Sequence, residues 1–365
     1  MSLEIGIVGL PNVGKSTLFN ALTRAGAQVA PYPFTTIEPN VGVVPVPDDR
    51  LDKLAALVRP EKVTPTTIRF VDIAGLVKGA SQGEGLGNQF LGHIRNVDAI
   101  AMVVRCFRAE DIPHATDTLD PSADIEVINL ELALADLSTV ENRLEKVKSA
   151  SKGKAKEYEA EMALLGRLKQ RLSRGERAVG VVAGAEEDSL LASYGLLTSK
   201  PQLYVANVDE QALLEADGLL RAVEDAAKQA AVGMVRICAQ LEADLVEWSP
   251  EEAAAYRTEL GMGESGLERV ISAGYRVLDL VTFFTATGGR ELRAWTVRDG
   301  ASAWEAAGKI HTDMQKGFIR AEVVACEALL AAGSLATARD RGLIRLEGRE
   351  YLIRDGDVVH FRFNV

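Results

Sequence analysis

A chain of 365 residues, 47% hydrophobic and 25% charged, is long enough for two or three domains with a substantial core. We expect neither a membrane span nor a signal peptide, because long apolar runs are absent from the sequence and a strand begins almost at its start. A net charge of −11 argues against nucleic-acid binding over the whole surface, and we expect no recognition of DNA sequence. Three cysteines in apolar surroundings predict reduced thiols in a cytoplasmic protein.

The first motif along the chain is a phosphate-binding P-loop. Residues 9–16 read G-L-P-N-V-G-K-S, between a short apolar strand and a segment of helical pattern. Its glycines let successive N–H groups converge on phosphates at the positive end of a helix. Lys15 is expected to act on the β- and γ-phosphates as a catalytic group, and the Ser16 hydroxyl to bind Mg²⁺. The predicted nucleotide-binding residues here are Asn12, Val13, Gly14, Lys15, Ser16 and Thr17. The chain is therefore predicted to bind a nucleoside triphosphate.

Two further segments indicate a nucleotide-dependent switch. Residues 69–75 form an apolar run that ends in D-x-x-G, where Asp72 is expected to hold a Mg²⁺-bound water and the Gly75 N–H to sense the γ-phosphate. The Pro-bounded segment 32–40 offers a threonine hydroxyl to the metal, which we assign to Thr36, with Thr35 as the alternative register. Following a P-loop in this order, the two segments favour a switch NTPase over a metabolite kinase.

The order of these motifs resembles that of the YchF-type Obg-like ATPases, in the Obg-related branch of the translation-factor GTPases. The resemblance extends from Met1 to Val365 and includes a glycine-rich segment, 79–88, and a C-terminal segment, 309–323. It implies an α/β P-loop domain that uses Mg²⁺, a C-terminal TGS domain and an association with ribosomes.

The base-recognition motif favours ATP over GTP. GTPases of this class read guanine with N-K-x-D, whereas the matching strand here is followed by Asn207-Val208-Asp209-Glu210. Val208 replaces the Lys, and Glu210 displaces the carboxylate from the position that guanine requires. The resemblance agrees, because its N-x-x-E variant accompanies a preference for ATP. A shift of one residue would bring Asp209 into the guanine role, which keeps GTP open.

The catalytic group is less evident from the residues. Many relatives carry a Gln after D-x-x-G to orient the attacking water, but this chain has Leu76, which cannot form a hydrogen bond. Hydrolysis is then either slow and stimulated by a partner, or another group contacts the water. By resemblance, His114 matches a histidine that acts near the γ-phosphate, although its neighbours Pro113 and Ala115 differ from the usual pattern. His93 is a weaker candidate.

A basic helical hairpin is predicted after the switch segments. Between residues 141 and 177 there are eleven Lys and Arg against six Glu, inside an otherwise acidic chain. Apolar residues at spacings of three and four form one stripe from Leu130 to Val147 and a second from Met162 to Leu172. A solvated charged face would explain the composition, and so would an electrostatic contact with the phosphates of ribosomal RNA.

The last 90 or so residues predict a separate small domain. A strand at 292–297, a helix opened by the capping box Ser302-Ala303-Trp304-Glu305 and hairpin character around Asp355-Gly356 suggest a ubiquitin-like β-grasp. The segment 309–323 resembles a TGS domain, which we interpret as a docking surface for RNA or protein.

These observations predict a doubly wound α/β P-loop domain with an inserted helical hairpin and a C-terminal β-grasp. We assign residues 1–122 and 185–278 to the nucleotide-binding domain, 123–184 to the hairpin and 279–365 to the TGS domain. The predicted function is a slow, Mg²⁺-dependent ATP-hydrolysing switch associated with ribosomes, translation or the stress response. A GTPase of ribosome assembly, and a ribosome- or protein-binding adaptor in which hydrolysis is incidental, remain alternatives.

Overall fold

The computed structural model describes residues 3–25, 28–29, 40–73, 79, 86–109, 111–114, 118–152, 155–182, 184–287 and 290–364. The chain folds into two compact units. The first combines Met1–Val44 with Arg69–Gly274, and the second combines Pro45–Ile68 with Tyr275–Val365. Within the described ranges, the helices are all too short or too polar to cross a membrane.

Strands and helices alternate along most of the chain. The strands are β1 (Glu4–Val8), β2 (Gln28–Val29), β3 (Asn40–Pro45), β4 (Lys62–Thr64), β5 (Thr67–Asp72), β6 (Ala99–Cys106), β7 (Gln202–Val208), β8 (Gly233–Ile237), β9 (Leu280–Thr287), β10 (Glu291–Arg298), β11 (Phe318–Ala325), β12 (Arg345–Glu347) and β13 (Asp357–Phe363). The helices are α1 (Lys15–Arg24), α2 (Asp49–Val58), α3 (Leu86–Asn96), α4 (Pro121–Ala150), α5 (Glu159–Leu172), α6 (Ala185–Tyr194), α7 (Glu210–Leu214), α8 (Gly218–Ala230), α9 (Ala239–Leu245), α10 (Pro250–Glu259), α11 (Gly266–Val277), α12 (Ala303–Ile310), α13 (Thr312–Lys316), α14 (Cys326–Ala332) and α15 (Leu335–Asp340). A 3₁₀ turn at Ala155–Tyr158 precedes α5.

The first unit is built on a seven-stranded sheet with the order β2-β3-β5-β1-β6-β7-β8. The strands from β5 to β8 in this order pair in parallel, and β2 pairs antiparallel with β3. Every residue of β6 and β7 is buried, as expected for central parallel strands that are covered on both faces. The predicted α/β fold is therefore confirmed, and its parallel strands bring their carboxyl ends to one edge of the sheet.

The predicted helical hairpin is present in the first unit. Helix α4 begins at an Asp120 cap followed by Pro121 and continues for 30 residues, and α5 packs back against it. Val140, Val147 and Leu165 form the core between the two helices, as the stripes predict. Leu130 was predicted to belong to the first stripe, and this is wrong, because its side chain is 47% exposed. Near that end of α4 the buried leucine is Leu132.

The hydrophobic core of the hairpin extends beyond residue 184, the last residue that the sequence analysis assigns to the inserted segment. Leu190 and Leu191 of α6 pack against the same cluster, which also includes Leu196. Helix α6 therefore packs with the hairpin, whereas the sequence analysis assigns residues 185–278 to the nucleotide-binding domain.

The second unit contains a six-stranded mixed sheet with the order β12-β11-β13-β9-β10-β4. The last strand, β13, lies in its centre and pairs parallel with β9, the first strand of the C-terminal segment, while β9 and β10 form an antiparallel pair. This is the predicted β-grasp arrangement, and α12 begins at the predicted capping box of Ser302 and Glu305. Strand β4 extends the sheet at one edge by pairing parallel with β10.

Two features of the second unit differ from the sequence analysis. The segment Pro45–Ile68, which carries α2 and β4, belongs to this unit, whereas we had assigned it to the nucleotide-binding domain. The Asp355-Gly356 turn does lead into β13, but the predicted hairpin around it is wrong. Leu352, three residues before Asp355, forms an isolated bridge with Ser302, and β13 pairs with β11 and β9.

Candidate nucleotide site

The P-loop connects β1 to α1 at the carboxyl edge of the sheet. Gly14 is the cap of α1 and has a left-handed backbone, with φ of 96° and ψ of 18°. A Cβ atom at this position would collide with the side-chain amide of Asn207, so both the backbone conformation and the space require glycine. The N–H groups at the start of α1 lie at the positive end of a helix, where anions bind.

Lys15 is buried, with its ammonium turned back into the loop. Its Nζ donates to the carbonyl oxygen of Leu10 at 2.7 Å, and the side chain is only 8% exposed. Burial lowers the pKa of Lys15 to about 8, against which the carboxylate of Asp72 acts to raise it. A bound phosphate would favour the charged form of this lysine for the same reason.

Asp72 and Ser16 face each other at the ends of β5 and the P-loop. The Ser16 hydroxyl lies 3.4 Å from Asp72 Oδ2. Burial raises the pKa of Asp72, while Lys15 and the Ser16 hydroxyl oppose that shift. The structure thus brings together three of the residues that the sequence predicted for phosphate and metal binding.

Asn207, at the end of β7, ties two loops together. Its side-chain amide donates to the carbonyl oxygen of Val13 at 2.9 Å, and its carbonyl oxygen accepts from the N–H of Ala239 at 3.0 Å. Because Asn207 is only 5% exposed, its amide oxygen and nitrogen serve these loops. Asn207 therefore holds the P-loop next to the start of α9.

The three residues after Asn207 take different roles. Val208 is 2% exposed, whereas Glu210 is the exposed first residue of α7. The carboxylate of Asp209 caps α7 by accepting from the N–H of Ala212 at 2.9 Å. This bond engages Asp209 in holding the helix, which weakens the alternative in which Asp209 reads guanine.

A cavity of about 670 Å³ joins these elements, a volume that is typical of sites for small ligands. Its walls come from the P-loop, the end of β7, the loop after β6 and the start of α9. The lining residues are Asn12, Gly14, Lys15, Ser16, Thr17, Phe107, Arg108, Ala109, Ile112, Asn207, Val208, Asp209, Glu210, Cys238 and Gln240. The phosphate-binding and base-recognition motifs, which are far apart in the sequence, thus line the same cavity.

His114 lies outside the lining of this cavity. Its Nε2 is 3.0 Å from Oδ2 of Asp124, near the start of α4, and the side chains of the two residues are 9% and 3% exposed. Burial raises the pKa of Asp124, while His114 acts to lower it. The preceding residue, Pro113, accepts from the side-chain amide of Asn12 at 3.1 Å, which links the histidine to the P-loop.

Several predicted residues cannot be compared with the structure. Thr36 and its alternative Thr35, Gly75 and Leu76 lie outside the described residues. His93 lies in the last turn of α3.

Sequence reasoning missed the contribution of the loop after β6. Phe107 and Ile112 of this loop line the cavity. The position of this loop in the fold could have indicated its role, because a loop that follows a parallel strand next to β1 must emerge at the same edge of the sheet as the P-loop.

A P-loop, a facing Ser–Asp pair and a shared cavity at the carboxyl edge of a parallel sheet define a P-loop nucleotide-binding protein. The chain is 53% identical to the Bacillus subtilis (strain 168) protein named Ribosome-binding ATPase YchF, over 368 residues covering 100% of both chains. It is 51% identical to the protein of the same name from Escherichia coli O157:H7, again over 100% of both. The chain therefore belongs to the YchF family.

Structural and domain comparisons agree with this assignment. The solved structure of the Schizosaccharomyces pombe YchF GTPase matches with a TM-score of 0.87 at 35% identity, covering 99% of this chain and 98% of that chain. Residues 4–147 match the family described as 50S ribosome-binding GTPase. Residues 280–364 match the family YchF-GTPase_C, described as a protein of unknown function (DUF933).

Proposed function

We propose that this protein is a Mg²⁺-dependent ATP hydrolase of low intrinsic turnover that acts as a switch at the ribosome. The observation that carries the proposal is the cavity shared by the P-loop and the residues 207–210. Full-length relatives with identities between 43% and 53% are named Ribosome-binding ATPase YchF, which supports both ATP hydrolysis and ribosome binding. The predicted cytoplasmic location stays a prediction.

The oxygen donors at the P-loop fit a magnesium ion. Mg²⁺ is bound in P-loop proteins by a Ser or Thr hydroxyl, carboxylates and phosphate oxygens. Ser16 Oγ and Asp72 Oδ2, 3.4 Å apart, supply such donors, and Thr36 is the further ligand predicted from the sequence. When bound, the ion would neutralise charge on the β- and γ-phosphates. Lys15 would exchange its bond to the Leu10 carbonyl for phosphate oxygens.

The proposed base preference rests on the carboxylates near the end of β7. A guanine site needs a carboxylate that accepts from the base edge, and a site without one loses its discrimination against adenine. Asp209 is engaged in capping α7, and Glu210 is one residue further along on the exposed side. These contacts support ATP as the substrate.

GTP is the competing substrate, and a specific finding favours it. The solved relative from Schizosaccharomyces pombe is titled a YchF GTPase, whereas the bacterial relatives are named ATPases. Base preference is therefore the property to measure first.

The test is equilibrium binding of ATP and GTP with Mg²⁺ to the protein and to a double variant, Val208→Lys with Glu210→Asp. We expect ATP to bind at least about tenfold more tightly, or about 1.4 kcal/mol, to the parent. The double variant is expected to shift toward GTP, since it restores the lysine and the shorter carboxylate of a guanine site.

The matched control is Leu214→Lys, which adds one positive charge as Val208→Lys does, but at the end of α7. This position is 57% exposed and does not line the cavity. This control should keep the ATP preference of the parent. Equal affinities for the two nucleotides, or a preference for GTP in the parent, would contradict the proposal.

A further inference from the structure

Arg105 occupies an unusual position at the end of β6. It is charged, yet only 3% exposed, and it lies outside both the P-loop and the base-recognition motif. Its guanidinium donates to backbone carbonyl oxygens of the loop that follows the same strand. The acceptors are Phe107 at 3.2 Å, Ala109 at 3.3 Å, Ile112 at 3.0 Å and Pro113 at 3.4 Å.

The loop that Arg105 holds is a wall of the nucleotide cavity. Phe107, Ala109 and Ile112 line the cavity, and the Arg105 guanidinium lies over the Phe107 ring at 4.6 Å from its centroid. Bonds from one guanidinium to four carbonyl groups fix the backbone of the loop whose residues line the cavity. Pro113 joins the same loop to the P-loop through Asn12.

An arginine is specifically suited to this position. Its planar guanidinium carries five N–H donors in a fixed arrangement, whereas a lysine ammonium has three donors and no planar face for the ring. Burial disfavours the charge and lowers the pKa of Arg105, while the carboxylate of Asp124 opposes that effect. The hydrogen bonds of the guanidinium to four loop carbonyl groups compensate part of the cost of burying this charge.

We propose that Arg105 is a positioning residue for the nucleoside part of the bound nucleotide. The P-loop provides the contacts for the phosphates, and Phe107 and Ile112 provide an apolar and aromatic surface that suits a base and ribose. Arg105 acts through the loop, without contact to the ligand. The proposal rests on the proposed nucleotide site and adds a residue that determines its affinity for the nucleoside.

The experiment compares Mg²⁺-ATP with Mg²⁺-tripolyphosphate, which carries phosphates and no nucleoside. Binding of both probes is measured by calorimetry for the full-length parent, Arg105→Lys and Arg105→Met. We expect each substitution to weaken ATP binding by about tenfold or more, the scale of a lost aromatic contact with a base. Affinity for tripolyphosphate should stay within about twofold of the parent, because the hydrogen bonds of Arg105 described above go to residues 107–113 and not to the P-loop.

The matched control is Arg177→Lys, which alters another largely buried arginine. Arg177 donates to the carbonyl oxygen of Lys200, and burial lowers its pKa as well, but it does not line the cavity. This variant should bind both probes as the parent does, and circular dichroism identifies any variant that fails to fold.

ATP affinity unchanged in both Arg105 variants would overturn the proposal, and so would equal losses for ATP and tripolyphosphate. Failure of the parent to bind ATP at all is a different result, because it refutes the nucleotide site itself. If Arg105→Met fails to fold, Arg105→Lys still gives the comparison, since it retains the charge and most of the length of the side chain.

Discussion

Several residues at the site form hydrogen bonds that hold neighbouring segments in place, and they are not only candidate contacts for a ligand. Asn207 was predicted to bind the base, and in the structure its amide group bonds to Val13 and Ala239 of two neighbouring loops. Asp209 caps a helix in the same region. Because a buried polar group left without partners costs free energy, these bonds restrict which of the predicted residues remain available to a nucleotide.

His114 is the residue whose predicted role separates a hydrolase from an adaptor. We expect His114→Ala to lower the rate of ATP hydrolysis by about 10²-fold or more, the usual contribution of a positioned proton-transfer group. ATP affinity should stay close to that of the parent, because His114 does not line the cavity and contacts Asp124 instead. Single-turnover hydrolysis and equilibrium binding are the two measurements.

The control for this substitution is His311→Ala. The His311 side chain is 61% exposed and lies in the second unit, at the cap of α13. The His311→Ala variant should hydrolyse ATP at the parental rate. An unchanged rate in His114→Ala would remove the catalytic role of this histidine and favour an adaptor that merely holds the nucleotide.

At the scale of elements, the single helix α4 connects the region around His114 with the helical hairpin of the first unit. Its first part carries Asp124, which contacts His114, and its last part packs against α5. Between the two, Asp136 is fully buried and accepts from Leu197 N at 2.9 Å and from Thr198 N and Oγ1 at 2.8 and 2.7 Å. This carboxylate fixes the chain entering β7 to the middle of α4.

We expect Asp136→Ala to destabilise this region by about 3 kcal/mol or more, because three buried donors would lose their acceptor. Asp136→Asn should cost less, since its amide oxygen still accepts. Hydrogen exchange of the Leu197 and Thr198 amides is the direct measurement, because a protein of two units need not unfold in a single step.

A cap that contributes only one bond provides the comparison for Asp136. Asp217→Ala removes the acceptor of the Leu220 N–H at the start of α8 and should cost about 1 kcal/mol. Equal exchange rates at Leu197 and Thr198 in the parent and in Asp136→Ala would show that this carboxylate does not hold the segment.

At the scale of the whole molecule, the second unit depends on a segment that is distant in sequence. Leu51 and Leu54 of α2 pack in one cluster with Phe284 and Leu292 of the C-terminal strands. Arg50 donates to Asp355 at 2.7 Å and also to Asp48, and these bonds raise the pKa of its guanidinium. The C-terminal residues alone therefore lack part of their core.

We expect Leu54→Ala to destabilise the second unit by about 2–5 kcal/mol, because Leu54 is fully buried and the substitution leaves a cavity. Amide exchange should accelerate in β9 and β10, whereas ATP affinity should persist, because the P-loop belongs to the first unit.

Lys53→Ala, at an exposed position on the same helix, should leave the stability within about 0.5 kcal/mol. If Leu54→Ala accelerated exchange in the P-loop and left β9 and β10 unchanged, the assignment of α2 to the second unit would be wrong.

The sequence by itself determined the P-loop, the parallel sheet, the helical hairpin and the β-grasp, because contiguous patterns encode each of these. Gly14 and Lys15 are recognisable from local spacing, and the buried strands β6 and β7 from their mostly apolar composition. Only the tertiary structure decided the membership of Pro45–Ile68 and the partners of Asn207 and Arg105. Those depend on which polar groups and apolar faces meet across long sequence separations, and one sequence carries no local signal for that.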